Sequence, residues 1–180
     1  PLKAICGYLE LLEREDKSEA AARYLEYIGE RAEAMRRLTE ELFCYSVILA
    51  PESAPELEHG DLRAVLEKSL AGAYPKLMER GIAPEVDMPD TPVYCMMNEA
   101  AASRVFGNVL SNAVKYSSGD LAVRLTADGE AEFANTAPGL DDVQVGRLFE
   151  RFFTVEAARG STGLGLSIAR TLMEQMGGTV

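Results

Sequence analysis

Residues Arg104–Ser118 read RVFGNVLSNAVKYSS, and this stretch decides the fold. Val105, Phe106, Val109, Leu110, Ala113 and Val114 recur at helical spacing. Asn108, Asn112, Lys115 and Tyr116 fall together on another face at about 100° per residue. An amide oxygen is a hard, neutral ligand that suits Mg²⁺, which takes few protein ligands and keeps phosphate oxygens and waters. Lys115 offers a point charge to phosphate, and Tyr116 a flat ring to cover a base. Taken alone, the helix fits a solvated polar face equally well.

Alternating strands and helices surround this segment. Asp61 can cap a helix over about 62–80, and strands are predicted at 83–88 and 93–96. Asn98 precedes the asparagine helix. LAVRLT (121–126) alternates, Asp128-Gly129 is a hairpin turn, and 130–135 supplies the return strand. Residues Gly160–Arg170, GSTGLGLSIAR, then lead into a last helix that stops at Gly177-Gly178. Helices running on one sheet predict an α+β, two-layer sandwich.

Glycines allow close backbone approach to phosphate, and a helix N-terminus adds a favourable dipole. Gly160 and Gly165 have the spacing of a P-loop, but Leu166 stands where its lysine would be, so that reading fails. No parallel βαβ unit frames a dinucleotide fingerprint either.

At the other end, Leu2, Ile5, Leu9 and Leu12 mark one amphipathic helix. Leu25, Ile28, Ala32, Met35, Leu38, Leu42, Tyr45 and Leu49 mark a longer one over about 20–49. Two such helices joined by the charged break 13–19 predict an antiparallel hairpin. Its thin seam predicts pairing of two hairpins into a dimeric four-helix bundle. APESAP (50–55) reads as a linker. The expected division is a hairpin over 1–50, a linker over 51–57 and a second domain over 58–180.

The 180 residues carry a net charge of −11, which disfavours a nucleic-acid partner. No apolar run is long enough to span a bilayer, so any membrane attachment would come from segments outside this chain. Cys6, Cys44 and Cys95 are scattered, the pattern of unpaired thiols in a reducing compartment.

Three stretches in this order resemble the histidine-kinase branch of the ATPase superfamily shared with gyrase, MutL and the heat-shock chaperone. Asn108–Tyr116 resembles its N box, LFERFF (148–153) its F box, and Gly160–Leu166 its G2 box. The N-terminal PLKAICGYLELL is similar to the dimerisation helix just after the phosphoacceptor histidine of bacterial sensor kinases. The resemblance implies a Bergerat-type ATP-binding domain over 58–180 and Mg²⁺ on Asn108, with Asn112 and Lys115 at the phosphates. It also implies Tyr116, Asn135 and Gly139 near the adenine. Thr162, Gly163, Leu164, Gly165 and Leu166 would supply the phosphate loop, and 154–162 a short lid. It further implies a cytoplasmic location, a homodimer, ATP and Mg²⁺ as ligands, and relay of phosphate to the receiver domain of a response regulator.

There are departures from the family pattern. Its Asp-x-Gly-x-Gly segment is here Asn135-Thr136-Ala137-Pro138-Gly139. Asn135 keeps an acceptor oxygen but loses the charge. That change is the support for an alternative, a non-catalytic nucleotide-binding or dimerisation module. The phosphoacceptor is expected upstream of Pro1, so no catalytic residue is assigned within these 180, and further strands are expected beyond Val180. His59 lacks the flanking acceptor motif and reads as a surface histidine. A hydrolase of the gyrase or MutL type would carry Glu where this chain has Asn108, and an amide cannot take a proton from water at neutral pH. A serine kinase acting on anti-sigma partners would not need the hairpin.

Overall fold

The structure, a computed structural model, describes residues 5, 7, 9, 10, 12, 18–48, 55–155 and 162–180. Most of the first predicted helix and of the charged break, Leu49, residues 50–54 of the predicted linker and residues 156–161 of the predicted lid lie outside them. The chain divides into two compact units, Pro1–Val47 and Ile48–Val180. Among the described residues no helix is long and apolar enough to cross a membrane.

In the first unit, Ile5, Gly7, Leu9, Glu10 and Leu12 are helical. Helix α1 (Glu19–Ile48) begins at Ser18, whose hydroxyl accepts the Ala21 N–H at 3.3 Å. Arg36 bridges Glu33 and Glu40 at 2.6 Å each, the i,i+3 and i,i+4 geometry that supports a long exposed helix. The predicted stripe is only partly covered. Ala32 and Tyr45 are buried, whereas Ile28, Met35 and Leu42, seven residues apart, are 50%, 58% and 41% exposed.

The first strand of the second unit, β1 (Glu58–Asp61), pairs antiparallel with β3 (Tyr94–Met97), Gly60 opposite Cys95. Sequence reading missed β1, because EHGD carries no apolar alternation and its pairing partner lies far along the chain. Helix α2 (Leu62–Glu79) is capped by Asp61, whose Oδ1 accepts the N–H of Arg63 and of Val93 at 3.1 Å each. Strand β2 (Glu85–Asp87) pairs parallel with β4 (Ala122–Leu125), and β4 antiparallel with β5 (Ala131–Ala134). The strands therefore form two hydrogen-bonded groups, β1-β3 and β2-β4-β5, where the sequence predicted one sheet. The β4–β5 turn is the predicted Asp128-Gly129, with Gly129 at φ 87°.

Helix α3 (Glu99–Tyr116) packs between α2 and α5 (Gly165–Gln175). Its buried face is Ala101, Ala102, Val105, Phe106, Leu110 and Ala113. Val109 and Val114, expected in that layer, are only half-buried. Phe106 meets Phe133 of β5 with ring centroids 5.8 Å apart. Leu121, Val123 and Leu125 alternate inward from β4, and Leu164, Ile168 and Leu172 close the layer from α5. A short helix α4 (Asp142–Arg147) was not predicted. It rests on a capping box in which Asp141 and Gln144 exchange bonds of 2.7 and 3.1 Å.

Candidate functional site

Helix α3 is set by its N-cap, Asn98, whose Oδ1 accepts the Ala101 N–H at 3.0 Å while its Nδ2 donates to the Glu56 carbonyl at 3.2 Å. With the apolar face held inward, Asn108, Asn112, Lys115 and Tyr116 remain half-buried along the other side. The Asn108 side-chain N–H donates to the carbonyl of Gly165 at 2.9 Å. That bond joins the asparagine helix to the glycine-rich segment, 57 residues apart in sequence. It also assigns the amide: the reverse orientation would set two carbonyl oxygens against each other. Asn108 Oδ1 is thereby left as an acceptor, which fits the hard-ligand role expected of it. The Asn112 and Asn135 amides, both half-buried, make no hydrogen bond among the described residues.

Gly165 opens α5. Leu164 precedes it in an αR conformation, and no side chain caps the helix start. An uncapped helix start leaves first-turn N–H groups pointing outward, an arrangement suited to an anion. Leu164 itself is wholly buried, and its backbone is engaged within the segment: its N–H donates to the Thr162 hydroxyl at 3.3 Å and its carbonyl accepts the Ile168 N–H at 2.9 Å. Leu166 is half-buried.

Gly163 has φ 69°, and its missing side chain serves a purpose the sequence did not disclose. A Cβ there would lie 2.6 Å from the Phe152 carbonyl carbon and 2.7 Å from the Phe153 oxygen. The glycine is thus required by a backbone crossing with the LFERFF segment, whatever it offers to phosphate. Phe152 is itself at φ 61°, and its N–H donates to Gly163 O at 3.0 Å. Phe153 packs under the Arg147 guanidinium, 4.5 Å above its ring, while Arg147 pairs with Glu150 at 2.9 Å.

The remaining predicted residues follow β5. Asn135 follows the strand directly, outside β5 although the predicted strand included it, and Gly139 turns the chain at φ 86°. Thr136, between them, is bonded to Asp120 in the loop after Tyr116. Sequence reading missed Asp120, whose only local signal is the turn composition of Ser117–Asp120. No hydrogen bond joins Asn112 or Gly139 to the other members of the set among the described residues. His59 stands apart, exposed on β1 and stacked on Tyr94 at 5.1 Å. A concavity of about 260 Å³ between Glu85, Asp87, Arg124 and Glu132 includes none of these residues.

Comparison with known proteins is consistent with this geometry. Residues 97–180 match the family model of histidine kinase-, DNA gyrase B-, and HSP90-like ATPases. The chain is 27% identical to the sensor histidine kinase YcbM of Bacillus subtilis, covering all of this chain and 61% of that protein. It is 29% identical to the sensor protein VanSC of Enterococcus gallinarum, covering all of this chain and 52% of that protein. It therefore spans between half and two thirds of the length of these relatives. Its fold resembles full-length ShkA in complex with AMPPNP, with a TM-score of 0.77 at 22% identity, over 98% of this chain and 38% of that one. It also resembles the histidine kinase AdeS of Acinetobacter baumannii, with a TM-score of 0.65 at 24% identity, over 97% of this chain and 84% of that one.

Proposed function

We propose that this chain, whose residues 97–180 match the model of the histidine kinase-, DNA gyrase B-, and HSP90-like ATPases, is the core of a sensor histidine kinase. It binds Mg-ATP and passes the γ-phosphate to a histidine preceding Pro1, for relay to a receiver-domain aspartate. The observation that carries this reading is the Asn108–Gly165 hydrogen bond, which brings the amide helix against the open start of α5.

The residues assigned to hold the nucleotide are those of the sequence reading. Asn108 Oδ1 is the Mg²⁺ ligand, with Asn112, Lys115 and the backbone of Thr162–Leu166 at the phosphates. Tyr116, Asn135 and Gly139 lie at the base. Bound Mg-ATP supplies the phosphoryl group and a cation that offsets its charge. The chain's own residues orient it, and in phosphoryl transfer positioning and charge stabilisation are most of the work. Asn108 has no proton-accepting capacity at neutral pH, which favours transfer over hydrolysis by water.

The heptad-spaced Ile28, Met35 and Leu42 of α1 support a homodimer, since a line of exposed apolar side chains at this period is the seam of a helical bundle.

Calorimetric titration with Mg-ATP, followed by incubation with γ-labelled ATP, tests the proposal. The 180-residue chain is expected to bind nucleotide without acquiring acid-labile label, and a chain extended upstream of Pro1 to acquire it. Absence of binding overturns the nucleotide reading. Tight binding with no label on the extended chain favours the non-catalytic alternative. Label on the 180 residues that disappears with His59→Gln overturns the exclusion of His59.

A further inference from the structure

One carboxylate ties the end of α3 to the end of β5. Asp120 Oδ1 and Oδ2 accept the Thr136 backbone N–H at 3.0 and 2.9 Å, and Oδ2 accepts the Thr136 hydroxyl at 2.8 Å. From the same loop, the Ser118 N–H donates to the Thr136 carbonyl at 2.9 Å. The Ser117 hydroxyl braces the loop, accepting the N–H groups of Gly119 and Asp120 at 3.0 Å each and donating to the Asp120 carbonyl at 2.5 Å, with Asp120 Oδ1 the more distant acceptor at 3.2 Å. Thr136 therefore has its N–H, its carbonyl and its hydroxyl all held by residues 117–120. The chain neighbour of Thr136 is Asn135, and the chain neighbour of the loop is Tyr116.

We propose that Asp120 is a positioning residue of the nucleotide site: it sets Tyr116 and Asn135 relative to each other without itself touching the ligand. This rests on the nucleotide reading given above, in which those two residues receive the base. Hydrogen bonds to an ionised carboxylate are short and directional, so the clamp restrains geometry as well as adding energy. The Thr136 hydroxyl, and next its N–H, hold the Asp120 carboxyl below the usual range, so it stays charged at neutral pH. Without the clamp, the two walls would have to be ordered when the base binds, and affinity falls by the fraction of molecules already in the competent arrangement. The half-buried Asn135 amide, which makes no hydrogen bond among the described residues, is the group that loses most, because its bonds to a ligand are directional and depend on where the clamp holds it.

The test compares Mg-ATP, adenosine and inorganic triphosphate as ligands of the whole chain and its variants. Asp120→Ala is expected to lower affinity for Mg-ATP and adenosine together, by about tenfold, the equivalent of one charge-assisted bond. Affinity for triphosphate should stay within twofold. Thr136→Val, which keeps the backbone bond and loses the hydroxyl, should give a smaller loss of the same pattern, and Thr136→Ser should restore the unmodified values. A merely structural role would weaken all three ligands alike, and that result overturns the inference. Unchanged adenosine affinity in both Asp120→Ala and Thr136→Val also overturns it while leaving the nucleotide reading intact. Failure of the unmodified chain to bind any of the ligands removes that reading and this inference with it.

Discussion

Phe152 and Gly163 cross backbone to backbone: the Phe152 N–H donates to the Gly163 carbonyl at 3.0 Å, and both residues have positive φ, 61° and 69°. A non-glycine residue at such a φ costs of order 1–3 kcal/mol. The strain at Phe152 is thus sustained by the crossing that Gly163 alone permits.

Gly163→Ala should therefore be severe, combining backbone strain with a Cβ inside contact distance of Phe152. Gly177, at φ 79°, has no heavy atom within 4 Å of where a Cβ would stand and provides the control. Gly177→Ala is expected to cost about 1 kcal/mol from the backbone alone. Gly163→Ala should cost at least ~2 kcal/mol more, because rigid backbone must move. Chemical denaturation of the two variants measures the difference, and equal losses would contradict the crossing.

The two asparagines should separate in stability although both serve the proposed site. Asn108→Ala removes the bond to Gly165 and leaves that carbonyl without it, costing about 1–2 kcal/mol. Asn112→Ala breaks no bond among the described residues and should change stability by less than ~0.5 kcal/mol. Both should reduce Mg-ATP affinity by at least about tenfold. Thermal melts and titrations on the same samples check the two halves independently.

Met35→Glu, alone or with Ile28→Glu, should convert the proposed dimer to a monomer, since a charge in an apolar seam is buried without a partner. Sedimentation velocity reads the change directly. A chain starting near Pro55 should be monomeric and still bind nucleotide with unchanged affinity.

Acid should weaken the Asp120 clamp in a defined window. The folded carboxyl titrates below its ordinary value of 3.8, so its contribution is fully present above that value and is lost as pH falls through the lowered folded pKa. Glu33, lowered chiefly by its hydrogen bond to Arg36, behaves alike below 4.5. The melting-temperature gap between the unmodified chain and Asp120→Asn should be constant from neutrality to about pH 5 and shrink below about pH 4. A gap that widens on acidification would reverse the assignment.

Local chemistry made much of this chain legible. Asn98 and Asp61 announced two helix starts because capping is a short-range hydrogen bond, and Asp128-Gly129 announced a turn because only certain residues tolerate its dihedrals. The face carrying Asn108, Asn112 and Lys115 followed from helical period alone. Strand β1 was not legible, since Glu58–Asp61 acquires its structure from Met97–Tyr94 across the chain. Nor was α4, whose six residues are too few to establish a period.

What the sequence determined by itself was the set of elements and the residue types each presents, because period, capping and turn preference act over a few residues. Tertiary structure alone decided which of them meet. It turned the Asn108 amide toward Gly165, set Gly163 against Phe152, and drew Thr136 onto Asp120. The first joins residues 57 apart and the last residues 16 apart, and in each the partner and orientation depend on how helices, strand and loops pack around one apolar layer. No helical period, cap or turn preference specifies both sides of such a contact.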